Sequence, residues 1–221
     1  MVIIGLDATP ARGDGKGLGD VYDKILSATT YQRLQDDGFL VPVKAYGWEP
    51  RDMQDFGGTP KQWDDEAAAR ADKPRLVGDI IQHWILLAEG RKTIAFTSRV
   101  AHSIHLRDKF VEAGIRADHL DGKTPTKDRE AILADQRNGH LDVVTNCDVL
   151  SEGFDEPSVS CIILASPTKS LVKFRQRSGR AMRPYPDKED CLILDHSGSI
   201  AMHGFPDEEI DWRLSLTDNA Q

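Results

Sequence analysis

The sequence contains few cysteines and no long apolar run. Its three cysteines, Cys147, Cys161 and Cys191, are scattered without C-x-x-C spacing, which argues against a disulfide framework and against a zinc site. The seven histidines show no H-E-x-x-H pattern, so we expect no metal centre. No apolar stretch is long enough to span a bilayer, and the chain does not open with a signal peptide. We therefore expect a cytoplasmic protein with no membrane partner.

The overall charge is negative, but one stretch is purely basic. The net charge of -8 argues against a general nucleic-acid coat and leaves room for a local basic groove. Between Pro157 and Pro186 there is no Asp or Glu. The basic residues of that stretch are Lys169, Lys173, Arg175, Arg177, Arg180 and Arg183. A solvated basic helix is the alternative interpretation of this stretch.

Apolar runs alternate between strand-like and helix-like spacing, which predicts a parallel sheet with helices on both faces. The predicted strands are 2–6, 41–46, 93–97, 115–120, 141–145, 159–165 and 191–195. The predicted helices are 21–39, 76–88, 101–112, 126–136 and 169–182. Ligands of such sheets bind beyond the carboxyl ends of the strands, so we expect the functional residues at that edge.

Residues 176–184 contain the pattern Q-x-x-G-R-x-x-R. Arg180 and Arg183 are three residues apart, which would place both on one face of a helix. A guanidinium is always charged, and its planar fork of donors matches phosphate oxygens. The preceding Gly179 lets a backbone or a ligand come close. The pair suits the charge that develops on a transferring phosphoryl group.

Two further segments, 145–155 and 93–99, combine an apolar strand with polar residues. In the first, the Thr145 hydroxyl can reach a nucleic-acid phosphate. Gly153 permits close backbone approach, and Asp155 can accept from a ribose hydroxyl. A simple Gly-Phe-Asp turn is the alternative there. In the second, Ser98 and Arg99 follow a strand and could contact phosphate, although Thr97 or Ser98 could instead cap the next helix.

Taken in order, these three segments resemble motifs VI, V and IV of superfamily 2 helicases, the nucleic-acid-dependent ATPases. Residues 7–12 resemble motif III, with Asp7 in place of the usual Ser or Thr. The resemblance implies a RecA-like three-layer α/β/α fold with a mainly parallel sheet. It implies catalytic roles for Arg180, Arg183 and Gln176, cofactor binding by Gly153, Asp155 and Gly179, nucleic-acid binding by Thr145, Ser98 and Arg99, and coupling by Thr9.

The resemblance covers only the second half of the family's motor. It places the end of a first RecA-like domain and a crossover in 1–47, a polar linker in 48–74, the second RecA-like domain in 75–200 and a tail in 201–221. Gly15-Lys16 is followed by Gly17, so it does not form a Walker A loop. The run 65–68 imitates the acidic box but follows motif III, whereas in the family it precedes it.

The missing elements set our expectations for cofactors and partners. We expect ATP with Mg²⁺ only in a complete two-domain enzyme, and we expect this chain alone to be inactive. The partners implied are a first RecA-like helicase domain and nucleic acid. DNA is favoured because residues 152–155 and 176–183 look more like DNA-directed members.

Two other classes of function stay open at this level. One is a non-catalytic helicase-like interaction module or a phage remnant. The other is an unrelated α/β hydrolase that uses Asp195-His196-Ser197. Adjacent residues seldom achieve the geometry of a catalytic triad, which disfavours the hydrolase.

Overall fold

The computed structural model describes residues 3–11, 17–47, 74–147, 149–150 and 155–214. The strands within these residues are β1 (Val43–Gly47), β2 (Thr93–Thr97), β3 (Ala117–Leu120), β4 (Val143–Cys147), β5 (Cys161–Leu164) and β6 (Cys191–Asp195). The helices are α1 (Tyr31–Asp36), α2 (Pro74–Ala88), α3 (Val100–Glu112), α4 (Thr126–Arg137), α5 (Leu171–Gly179) and α6 (Ser199–His203). The alternation predicted from residue 76 onward is confirmed, and β2 and β6 have the predicted bounds.

The described strands form one parallel sheet in the order β1-β6-β5-β2-β4-β3. Successive residues of a strand face opposite sides of a sheet. Accordingly, Ile94 and Phe96 of β2 belong to one buried core and Ala95 belongs to another. Both β2 and β6 are buried along their whole length, as expected for strands covered on both faces.

Each face of the sheet has its own layer of helices. Phe174 of α5 lies in the first core, with Leu133 of α4 packed against it. Trp84 of α2 and Phe110 of α3 lie in the second core, where their rings meet edge to face with centroids 5.7 Å apart. This is the three-layer α/β/α arrangement expected from the sequence. It places α5, which carries the arginine motif, on the face opposite α2 and α3.

The predicted strand over 2–6 is wrong for the part that is described. Residues 3–7 adopt no strand, and Ile4 and Leu6 are 82% and 97% exposed. A strand needs a neighbouring strand to satisfy its backbone donors and acceptors, and the described sheet does not include this segment. The apolar pattern alone therefore did not suffice to form a strand.

The predicted helix over 21–39 is also wrong for most of its length, because only Tyr31–Asp36 is helical. Thr30 is the N-cap residue, and its side chain accepts a hydrogen bond from Arg33 N at 3.2 Å. Upstream, Leu26 is 76% exposed, so the preceding residues offer no packed apolar face. Short helices in water depend on such packing.

The predicted linker over 48–74 lies outside the described residues except for Pro74, where α2 begins. Proline is favoured at the first position of a helix because its missing N–H would have no helical partner there. Within the described ranges, no helix combines the length and the apolar character needed to cross a bilayer.

Candidate functional site

The two arginines of the motif lie just past the end of α5. The helix ends at Gly179, Arg180 is its C-cap residue and Arg183 follows, so the prediction of one helical face for both is wrong. The chain continues in tight turns, with Arg180 N 3.3 Å from Arg177 O and Met182 N 3.2 Å from Gly179 O. The two arginines therefore lie in the turns that follow α5 rather than on the helix itself.

Arg183 contacts Asp155, the carboxylate expected to meet a ribose. An Arg183 guanidinium nitrogen (Nη1) donates to Asp155 Oδ1. The side chains are 35% and 74% exposed, and ion pairs in such surroundings contribute only about 0–1 kcal/mol to stability. Opening this pair therefore costs little, and both groups can turn to a ligand that carries hydroxyls and phosphates.

The Arg183–Asp155 pair lies toward the amino edge of the sheet. Met182 O accepts from Val41 N at 2.8 Å, and Val41 precedes the start of β1 by two residues. Asp155 precedes the start of β5 by six residues. The expectation that the functional residues gather beyond the carboxyl ends is thus wrong for this pair. Because β4 and β5 are both parallel to β2, β5 begins at the edge opposite to the one where β4 ends.

Two other residues assigned to the nucleotide site lie near the end of α5. Gln176 and Gly179 are each half-buried. A Cβ atom built on Gly179 would meet nothing within 4 Å among the described atoms, so the surroundings of this glycine are open and a ligand has room there. Gly153, which was also assigned to cofactor binding, lies outside the described residues.

Ser98 and Arg99 do lie at the carboxyl edge, directly after β2. Ser98 Oγ accepts from Ser166 Oγ at 2.7 Å, which joins the segments that follow β2 and β5. Arg99 is exposed and is itself the N-cap residue of α3, without a side-chain capping bond. The alternative that Thr97 or Ser98 caps this helix is therefore wrong. Sequence patterns gave no signal for Ser166, which joins the site only through the fold.

Thr145 is not placed as predicted. It lies in the middle of β4 rather than at its end, and it is fully buried. Its hydroxyl donates to Ser103 O at 2.9 Å and accepts from Ser103 Oγ at 3.0 Å. In this structure the hydroxyl bonds within the protein, and its contact with a phosphate stays a prediction. Thr145 instead ties β4 to the first turn of α3.

The Thr145 hydroxyl belongs to a short chain of hydrogen bonds. Ser103 Oγ also lies 2.7 Å from His119 Nδ1. Ser103 Oγ therefore links the Thr145 hydroxyl to the His119 ring. Burial lowers the pKa of His119, against the opposing effect of the Asp121 carboxylate. The side chains of Ser103 and His119 were not identified from the sequence, because neither belongs to a motif.

We expect Thr145→Val to destabilise the protein and Thr145→Ser to do so much less. Valine has nearly the same shape but removes the two hydrogen bonds that the buried hydroxyl makes with Ser103, which costs about 1–3 kcal/mol. The free energy of unfolding, measured with urea, checks this expectation. If Thr145→Val instead weakened nucleic-acid binding without changing stability, the hydroxyl would have to contact the nucleic acid.

Thr9, assigned to coupling, is buried in a turn fixed by Asp7. The Asp7 carboxylate accepts from Thr9 N at 2.9 Å. Asp7, which replaces the usual Ser or Thr of motif III, thus stabilises this turn through its side chain.

The basic stretch after β5 is neither a continuous groove nor a solvated helix. Arg175 is 4% exposed and Arg177 is 2% exposed. Arg175 Nη1 donates to Pro206 O at 2.6 Å, and the Arg177 guanidinium lies 5.4 Å from the centre of the Phe96 ring. Buried arginines of this kind anchor α5 to the rest of the fold.

The hydrolase alternative finds no support in the geometry. Ser197 Oγ donates directly to Asp195 Oδ1 at 2.6 Å, so no imidazole lies between them. His196 stacks on His83 with ring centroids 5.1 Å apart. Within the described ranges, no group of three or more His, Cys, Asp or Glu residues could hold a metal ion.

Comparison with known proteins identifies the family. The model of the helicase conserved C-terminal domain matches residues 72–185. A 51.5 kDa protein of a Lactococcus phage is 35% identical over 95% of this chain and 46% of its own length. A Schizosaccharomyces pombe protein whose name describes it as a mitochondrial ATP-dependent helicase, irc3, is 33% identical over 90% of this chain and 33% of its own length. The chain belongs to the helicase C-terminal domain family, and it spans less than half the length of these two relatives.

Solved structures show the same fold. A fragment of a protein named as the HsdR subunit of a type I restriction enzyme from Vibrio vulnificus YJ016 matches with a TM-score of 0.70, 20% identity and coverage of 90% of this chain and 40% of that one. The ATP-dependent Type ISP restriction-modification enzyme LlaBIII bound to DNA matches with a TM-score of 0.55, 22% identity and coverage of 76% and 13%. The fold is RecA-like, as the resemblance to superfamily 2 implied.

Proposed function

We propose that this chain supplies the C-terminal half of an ATP-dependent motor that moves along nucleic acid. The observation that carries the proposal is the contact between Arg183 and Asp155, in a chain of the helicase C-terminal domain family. Two segments 28 positions apart bring together a guanidinium suited to phosphate and a carboxylate suited to a hydroxyl. The relative named as an ATP-dependent helicase supports the same class of activity.

The side chains at the amino edge fit a nucleotide. ATP would supply the phosphoryl group whose hydrolysis drives the motor. Arg180 and Arg183 would donate to phosphate oxygens, and Gln176 would lie beside them at the end of α5. Asp155 would accept from a ribose hydroxyl, and the open surroundings of Gly179 leave space for the ligand. Guanidinium groups in this role stabilise negative charge that grows as the phosphoryl group transfers.

A second domain is required by the same proposal. The phosphate loop and the acidic box that holds Mg²⁺ would come from a first RecA-like domain. That domain would bind this chain at the carboxyl end of α5. Without that domain most triphosphate contacts are missing, so the chain alone would not hydrolyse ATP.

The nucleic acid would lie at the opposite edge of the sheet. Ser98 and Arg99 project from the carboxyl end of β2, and the buried Thr145 fixes the first turn of α3 beneath them. We favour DNA, in keeping with the form of residues 152–155 and 176–183 and with the DNA-bound restriction enzyme that shares this fold. Contacts to the phosphate backbone are largely independent of sequence.

We expect Arg99→Ala to weaken nucleic-acid binding uniformly across sequences and to reduce the salt slope of binding by about 1. Fluorescence anisotropy of labelled single-stranded and duplex DNA, with RNA of matching sequence in parallel, measures both quantities. Arg107→Ala is the matched control, because Arg107 lies on the same helix and pairs with Asp108. Equal binding by the wild type and Arg99→Ala would remove Arg99 from the interface. Tighter binding of RNA than of DNA would contradict the preference.

A further inference from the structure

Lys188 makes three contacts with backbone oxygens at the amino edge of the sheet. Its ammonium nitrogen lies 3.0 Å from Pro157 O, 2.6 Å from Val159 O and 2.8 Å from Arg183 O. An ammonium has three donors and no acceptor, so these contacts use its full hydrogen-bonding capacity.

The three carbonyls belong to two separate segments. Pro157 and Val159 lie in the connection that follows Asp155, and Arg183 belongs to the arginine motif. Lys188 therefore ties together, through the backbone, the segments whose side chains meet in the Arg183–Asp155 pair. Because an exposed ion pair contributes little to stability, the geometry of the Arg183–Asp155 pair depends on how firmly the backbones of its two segments are held.

A strained turn delivers Lys188 to this position. Lys188 N donates to Tyr185 O at 3.1 Å, which closes a turn through Pro186 and Asp187. Asp187 has φ 63°, and among the described residues it is the non-glycine residue with positive φ. Proline followed by a left-handed residue is the type II pattern, in which glycine is usual at the second position. Strain of this kind persists where the surrounding structure holds it.

We propose that Lys188 is a positioning residue, which holds Arg183 in register with Asp155 so that both meet the same nucleotide. This inference rests on the proposed function of the pair. Lys188 itself touches only backbone carbonyls and makes no contact with the reacting atoms. Its effect on turnover is transmitted through Arg183.

The charge of Lys188 determines how many carbonyls it can hold. Burial lowers the pKa of Lys188 to about 8. The positive charges of Arg183 and Arg91 add to the lowering. A neutral amine keeps two N–H donors, so one of the three carbonyls loses its partner. At pH 7 the ammonium is the main form, and it makes all three contacts.

The first test uses the chain alone and does not depend on ATP. In ¹³C-detected NMR spectra, a guanidinium that is held gives separate signals for its two Nη atoms, whereas a rotating one gives one averaged signal. We expect separate Arg183 signals in the wild type at pH 7, which merge in Lys188→Met. Lys92→Met is the control, since Lys92 Nζ donates to one carbonyl, Arg137 O at 2.5 Å. Unchanged Arg183 signals in Lys188→Met would overturn the proposal.

The second test uses ATP hydrolysis by the chain combined with a first domain. We expect Lys188→Met to lower kcat about 10- to 100-fold, the cost of small misplacement, with the KM for ATP little changed. Lys188→Arg, which keeps the positive charge and several donors, should retain more of the wild-type kcat than Lys188→Met. A lysine that served only stability would lower Tm without lowering the kcat of the folded protein. If the wild-type mixture hydrolysed no ATP, the proposed function would fail while the NMR result still decided the role of Lys188.

Discussion

Arg183→Ala and Arg180→Ala are each expected to lower kcat about 1000-fold in a motor assembled from this chain and a first RecA-like domain. Arginines that stabilise a transferring phosphoryl group contribute at least this much in related phosphoryl-transfer systems. Lysine should not rescue either position, because it lacks the planar fork of donors. Asp155→Ala should raise the KM for ATP more than it lowers kcat, because a ribose contact is the same in the ground and transition states.

The control for these variants is Arg33→Ala. Arg33 is an exposed arginine on α1 that pairs with Asp37 at 3.6 Å, and its removal should leave turnover unchanged. Steady-state ATP hydrolysis under saturating nucleic acid separates kcat from KM. If both Arg180→Ala and Arg183→Ala kept the wild-type kcat, neither arginine would belong to the catalytic machinery.

The second large effect concerns stability in acid. His196 is 7% exposed and stacks on His83. Burial, and to a smaller extent His83, lowers the pKa of His196 to about 3, compared with about 6.5 in an unfolded chain. Between pH 6.5 and pH 3 the unfolded state binds a proton that the folded state does not. The free energy of unfolding therefore falls as the pH falls through this window, by about 3 kcal/mol at pH 4.

Urea unfolding at pH 7 and pH 4 measures this effect as a difference between variants. In His196→Phe, which keeps an aromatic ring against His83, the loss of stability between the two pH values should be smaller by about 3 kcal/mol. His140→Asn is the matched control, because the His140 side chain is 69% exposed. An equal loss of stability in His196→Phe and the wild type would show that His196 does not titrate as its burial implies.

The alternating half of the fold could be predicted because its apolar residues follow regular spacing and are packed in the structure. β2 is apolar at 94–96 and β6 at 191–194, and both strands are buried on both faces. The predictions over 2–6 and over most of 21–39 failed because an apolar pattern forms a strand or helix only when something covers it. Leu6 and Leu26 have the right character but remain exposed.

The site was predictable in part. The arginine motif and Asp155 were found because the residue types match the chemistry of a nucleotide, and the structure brings Arg183 and Asp155 into contact. Burial was not predictable from the same pattern. Arg177 and Arg183 look equivalent in a basic stretch, yet Arg177 packs over Phe96. Lys188 carries no motif signal, because its partners are backbone carbonyls that only the fold brings together.

The most direct test of the central claim is nucleic-acid-stimulated ATP hydrolysis by this chain alone and by this chain mixed with a separately expressed first RecA-like domain. We predict no hydrolysis by the chain alone and stimulated hydrolysis by the mixture. Hydrolysis by the chain alone at a rate typical of the family would contradict the account. Inactivity of a mixture whose domains were shown to associate would contradict it equally, and would favour a non-catalytic interaction module.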